Sequence, residues 1–463
     1  MRIPSIAALF AAISLLAAGE DNLETIARRA RHAMEAGHYQ EAAGLYERMV
    51  KILPNEPGAR FNLALALDAA GRPGDALKQL EQIKAAAAAN PRFWFLLGIE
   101  HQKLRQPAKA VDPLERAVKL DPGNADYRLE LGDAYLSSGA VSRAAAVFRA
   151  LSGERPGDAR VLAGEARALL AMSSDAYDEL VRVAPGSSFQ LALEALAEAD
   201  KGDRTKADAL YRRAAAAGPP APWLAGEQSG TRQAASDVGH PLAAAFHRGD
   251  LDEVVRRTAS GPSPESLYWR ARACAELARA PLAKLSALPP TPEAHELAGV
   301  ALRQTRRWED SIAEFQQALK LAPGDVRLQS ELAKSYWLSR RFDEAVKLLQ
   351  ALVANGWERG DWEFELGDSL YNIGQPEQAL PHLRKGASKL PGNFAAQAML
   401  GRVLLEMGRP EEAAPVLERA AARDPDGSIH FQLASAYRGM GRPDLARQAI
   451  AKQKEIEARR PRK

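Results

Sequence analysis

Cysteine is nearly absent from this chain of 463 residues. Its one example, Cys274, excludes an intramolecular disulfide and any thiolate metal cluster. Histidine is sparse as well. The eight histidines stand at 32, 38, 101, 240, 247, 295, 382 and 430, and no two have the i, i+4 spacing that would put two imidazoles on one helix face for a metal. An excess of one charge is also missing. With 62 basic and 59 acidic residues the net charge is +3, so no global attraction to nucleic acid or to an anionic membrane follows. No nucleophile elbow or phosphate loop is present. Beyond the N-terminus no apolar run reaches the ~20 residues that a membrane span needs. The 29 prolines are spread at intervals, which is punctuation and not a linker.

The first residues differ from the rest. "MRIPSIAALFAAISLLAAGED" places a charge at Arg2, an uncharged apolar run from Ile3 to Ala18, and small residues before Glu20. That order predicts a secretory signal over 1–19, cleaved after Ala18 or Gly19. The alternatives are an uncleaved N-terminal anchor and a buried first helix. With no cysteine after the run, a lipoprotein signal is excluded. The expectation is an exported protein, periplasmic or secreted.

What the chain has in plenty is self-similarity. Ala42, Ala76, Ala110 and Ala144 lie 34 residues apart, and so do Ser311, Ala345, Ala379 and Ala413, with Ala446 following after 33. A second small residue precedes most of these marks by 12 positions: Ala30, Ala64, Gly98, Gly132, Gly299, Ala333, Gly367, Gly401 and Ala434. A fixed period in this range signals a solenoid of supersecondary units. Within one unit, Trp94, Leu97, Gly98 and His101 recur at i, i+3, i+4 and i+7, one face of a helix. "RQP" at 105–107 turns the chain, and Ala110, Leu114 and Ala117 mark the inner face of a second helix. "DPGN" at 121–124 ends it, and Asn124 or Asp126 can cap the next. The small residues let helices cross at close range.

These residues resemble the tetratricopeptide repeat, W-x2-L-G-x2-Y…A-x3-F…P. "WFLLGIEH" at 94–101 matches its opening, with His101 in the tyrosine place. Leu131, Gly132, Tyr135, Ala144, Phe148 and Pro156 match the remainder in the next unit. Gly299, Trp308, Ser311, Phe315, Ala318 and Pro323 match a later one. The resemblance runs over about 23–460. It implies an all-α fold, a right-handed solenoid of antiparallel helix pairs, with roughly thirteen units. Departures from the period divide the chain. After the signal, 20–218 is a regular N-terminal block in which the unit after Pro156 is shortened. Residues 219–291 form a degenerate middle with an inserted loop over 218–241 and two poor units. A clean C-terminal block with a capping helix occupies 292–463, although Trp357 replaces an expected proline.

In such repeats the residues one step around the first helix face a concave groove, which in this family holds an extended peptide or a partner's helix. The spacing nominates Glu296, Val300 and Arg303; Ser330, Lys334 and Trp337; Phe364, Asp368 and Tyr371; and Ala398, Arg402 and Leu405. Among these, Lys334, Trp337, Phe364, Asp368, Tyr371 and Arg402 are the candidate peptide-binding residues, an aromatic floor with both charge signs around it. Trp94 and Trp308 fall on signature places and are expected to pack, as is Cys274.

The repeats leave no room for a catalytic domain. The expectation is a non-enzymatic scaffold, without cofactor or metal, binding protein or peptide partners and no nucleic acid. Analogy with exported repeat proteins points to envelope assembly or secretion beside a membrane. The alternatives are a carbohydrate-binding solenoid of a polysaccharide export system, whose aromatic groove would stack sugars, and the regulatory arm of an enzyme.

Overall fold

The computed structural model describes residues 22–218, 240–354 and 359–459. The signal segment 1–19, nearly all of the 218–241 loop and Trp357 lie outside the described residues. Those described contain 24 helices and no strand. The fold is an all-α array of helix pairs.

The repeat period is visible in what starts and stops the helices. Asn22, Glu56, Asn90, Asn124 and Asp158 stand 34 residues apart, and each accepts a backbone N–H of the helix that follows. An N-cap oxygen meets donors that the first turn cannot pair. At the other end of the first helices comes a residue with positive φ, as at Gly37, Gly71, Gly139, Gly374 and Gly408. Three turns hold arginine there instead: Arg105, Arg306 and Arg340, at φ +56°, +59° and +61°. An L residue in this region costs about 1–2 kcal/mol.

The chain divides into two compact units, one of residues up to 106 together with 295 onward, the other of 107–294. In the first, the marker residues Ala42, Ala76, Ala345, Ala379 and Ala413 are fully buried. Gly401 shows why the earlier marker must be small: a Cβ there would lie 2.4 Å from Leu417 Cγ. Ser311 keeps the pattern with a hydroxyl, which donates to the Gly299 carbonyl at 2.7 Å. A continuous core runs through the C-terminal repeats, from Ile312 and Phe315 through Trp362 and Leu383 to Leu433.

The second unit departs from two-helix repeats. The shortened stretch is a single helix, Ala159–Val183, and the second of the two poor units is also one helix, Pro264–Ser286. Neither has a Gly or Asn at the place where its turn would fall, so the helix runs on, although Pro281 inside the second removes one N–H from its ladder. The two long helices pack together. Leu267 and Ala271 meet Ala176 and Leu180, and the Ser173 hydroxyl donates to the Ala271 carbonyl at 2.9 Å. The first poor unit is a short pair, Pro241–Arg248 and Leu251–Arg257, turned by Gly249 at φ +86°. Cys274 is fully buried in this unit, and burial pushes its thiol up to about 11. Trp94, in the first unit, is 3 % exposed; Trp308 is half-buried.

Candidate functional site

Three successive first helices, Val326–Leu338, Gly360–Asn372 and Phe394–Glu406, position the candidate residues. Side chains at i, i+3, i+4 and i+7 share a helix face. Phe364, Asp368 and Tyr371 therefore form one row, with Trp337 on the helix before and Arg402 on the helix after.

The rows are joined. The Trp337 indole Nε1 donates to Asp368 Oδ2 at 2.6 Å. Its ring meets Phe364 edge-on, with centroids 5.8 Å apart and planes at 72°. Asn372 also donates to Asp368, at 3.3 Å to Oδ1. Burial holds the Asp368 carboxyl above its ordinary value, although the Trp337 and Asn372 donors pull the other way. On the next step the Tyr371 hydroxyl donates to Glu406, 2.6 Å from Oε1. Arg402 places its guanidinium 5.0 Å from the centre of the Tyr371 ring and its Nε 3.3 Å from Glu406 Oε1. Burial and the Glu406 hydrogen bond raise the Tyr371 hydroxyl. An exposed cation–π contact of this kind is worth about 0.5–1 kcal/mol.

The structure thus brings together Trp337, Phe364 and Asp368, and separately Tyr371 and Arg402. Lys334 is exposed and makes no hydrogen bond or ion pair with them; its charge acts on Glu365. Phe364 is 9 % exposed, so it supports the floor more than it lines it. Two residues nominated by spacing lie in the packing instead. Ser330 is buried and its Oγ receives the indole N–H of Trp362 at 2.7 Å. Glu296 is buried and paired with Arg327. The reason is geometric: each lies against the next first helix, Ser330 against Trp362 and Glu296 against Arg327.

Sequence reasoning missed four carboxylates. Asp361 and Glu365 precede Asp368 on its own helix, the three at i, i+4 and i+7. Glu331 faces them from the helix before, held by Arg303. Glu406 is the partner of Tyr371. The i, i+4 spacing of Arg402 and Glu406 was available as a signal, and so was the i, i+4, i+7 spacing of Asp361, Glu365 and Asp368. Among the described residues no group of three or more His, Cys, Asp or Glu side chains is arranged to hold a metal ion, and no helix is long and apolar enough to cross a membrane.

Comparison with known proteins agrees with this architecture. Two family models, each described as tetratricopeptide repeat, match the chain. One matches 33–98 and 374–432; the other matches 95–159, 276–326, 296–360 and 330–394. Together they cover more than half of it, and the chain belongs to the tetratricopeptide repeat family. Proteins of this family bind protein or peptide partners and generally act as non-enzymatic scaffolds. No curated protein matches. Solved structures similar to it include YrrB, a tetratricopeptide protein with an unusual peptide-binding site, at 20 % identity over 36 % of this chain and 86 % of that one, TM-score 0.32. MamA matches at 21 % identity over 36 % of this chain and 92 % of its own, TM-score 0.33. A thermophilic tetratricopeptide protein of Thermus thermophilus matches at 24 % identity over 36 % of this chain and 92 % of its own, TM-score 0.29.

Proposed function

We propose that this protein is an exported scaffold whose C-terminal repeats bind an extended segment of a partner protein, in envelope assembly or secretion. The observation that supports the binding site is the joined surface of three first helices. Trp337–Asp368 and Tyr371–Glu406 fix the aromatic side chains in place, while Lys334 and Arg402 remain exposed at its sides. Fixed aromatics lose little freedom on binding, and aromatics and arginine contribute most to interface energy. The balanced net charge of +3 suits a partner recognised by local contacts and not by long-range attraction. Export rests on the order of Arg2, the apolar run and the small residues in 1–19.

Capture from an envelope extract tests the binding. The protein without its signal should retain partners that a Trp337→Ala, Tyr371→Ala double variant loses; equal retention would remove the groove from the proposal. Mass spectrometry of the protein from the exported fraction tests the rest. A chain beginning near residue 20 is expected, and an intact Met1 would contradict cleavage.

A further inference from the structure

The carboxylate stripe beside the aromatics is unevenly served. Asp361, at its start, receives Arg359 through Nε at 3.1 Å and Nη2 at 2.5 Å. Asp368, at its end, receives the Trp337 indole and the Asn372 amide. Glu331, across from it, has Arg303. Glu365, in the middle, is only 6 % exposed and its carboxylate receives no hydrogen bond and no ion pair among the described residues. A buried carboxylate without a donor is costly unless a cation or a proton compensates it. One cation from elsewhere in the same unit already approaches the stripe: Arg105 sets Nη2 3.8 Å from Asp361 Oδ2. It does so from a turn where its own backbone is held at φ +56°. Both side chains of that pair are substantially exposed, at 61 % and 35 %, so the pair contributes little and is easily displaced.

We propose that the partner segment places a lysine or arginine side chain over Glu365, between the helices Val326–Leu338 and Gly360–Asn372, and that Arg105 occupies the neighbouring end of the stripe until it arrives. The inference rests on the groove reading above and specifies the chemistry of its occupant. The charges around Glu365 are Asp361 on its own helix and Glu331 and Lys334 on the helix before, with Arg359 ahead of its helix. On the following second helix, His382 and Lys385 are held at Glu363. On the following first helix, Arg402 acts on Asp368. Among these groups Lys334 is exposed, and it makes no ion pair with Glu365. Burial pushes the Glu365 carboxyl up to about 8, with Asp361 and Glu331 adding to the rise and Lys334 and Arg359 opposing it. A bound cation favours the ionised form, so binding releases a proton and tightens as pH rises towards about 8.

The test selects a random dodecapeptide library, displayed on phage, against the immobilised protein. Peptides that bind wild type should be enriched in lysine or arginine at one position. Resynthesised, such a peptide should bind Glu365→Gln about tenfold more weakly and should lose the gain in affinity with pH. Arg105→Ala should bind it more tightly, and Glu411→Ala, at the start of a second helix, should bind it as wild type does. The inference is overturned if peptides that depend on Trp337 and Tyr371 show no basic enrichment, or bind Glu365→Gln as tightly as wild type. Unchanged affinity in Arg105→Ala removes the displacement step. If the selected peptides bind independently of Trp337 and Tyr371, the groove reading itself fails, and this inference with it.

Discussion

Ser330→Ala probes the edge of the groove, because sequence spacing places Ser330 with Lys334 on the open face while the structure buries it. Trp362 is fully buried, and its indole N–H reaches Ser330 Oγ at 2.7 Å. Alanine removes that oxygen where little water can replace it. Leaving a buried donor without its acceptor costs about 1–3 kcal/mol. Lys334→Ala, four residues on and exposed, should change stability by less than about 0.5 kcal/mol. Trp362→Phe supplies the control, since it deletes the donor. In that background Ser330→Ala should cost little more, giving a coupling energy of about 1 kcal/mol or above. Urea midpoints followed by circular dichroism give the differences at constant slope. Hydrogen exchange over 326–372 shows whether the loss is local, as expected in a repeat array. Ser330→Ala as stable as wild type, or equally costly with and without Trp362, would refute the burial of this pair.

Gly401→Ala should lose about 1–3 kcal/mol by overpacking against Leu417, and an unchanged melting midpoint would deny that close crossing. Arg340→Gly should gain about 0.5 kcal/mol by relieving its left-handed backbone, whereas Gly374→Ala at the equivalent turn should lose about 1 kcal/mol; chemical denaturation decides both signs. Glu100 is fully buried, with neither carboxylate oxygen hydrogen-bonded among the described residues. Burial and then the nearby Asp68 push its carboxyl up to about 9, against Lys103. The folded state then holds a proton that the unfolded chain releases, so this group's contribution is full below its ordinary value of 4.5 and is lost as pH rises towards about 9. Glu100→Gln should therefore stabilise the protein, and more at about pH 8 than at about pH 5. A melting-point difference that does not grow with pH would contradict the buried acid.

Much of the fold was legible because small residues leave a strict mark. Ala42, Ala76 and Ala110 can be counted off directly, and each is fully buried. The period also fixes where each first helix must begin, which offered Asn124 or Asp126 as a cap, and the structure uses Asn124. The fusion of Ala159–Val183 was harder to see. A shortened period announces that something is missing, but only the absence of a breaker near 170–176 says that the missing part is the turn. At the site, periodicity set Asp368 and Tyr371 on one helix face, and the structure joins Trp337 of the helix before to Asp368. Periodicity could not separate Ser330 at the covered edge from Lys334 in the open, since that depends on how far the next helix overlaps. The approach of Arg105 to Asp361 joins residues far apart in the chain, and no local pattern foretells it.

The central claim is that the joined aromatic surface of the C-terminal repeats binds the partner. Titration calorimetry of a captured partner peptide against wild type and the Trp337→Ala, Tyr371→Ala double variant tests it most directly, with Glu411→Ala, at the start of a second helix, as control. Affinity should fall by about 2 kcal/mol or more in the double variant, roughly thirtyfold, and stay unchanged in the control, with helical content the same in all three. A double variant that remains folded and binds as tightly as wild type would contradict the claim.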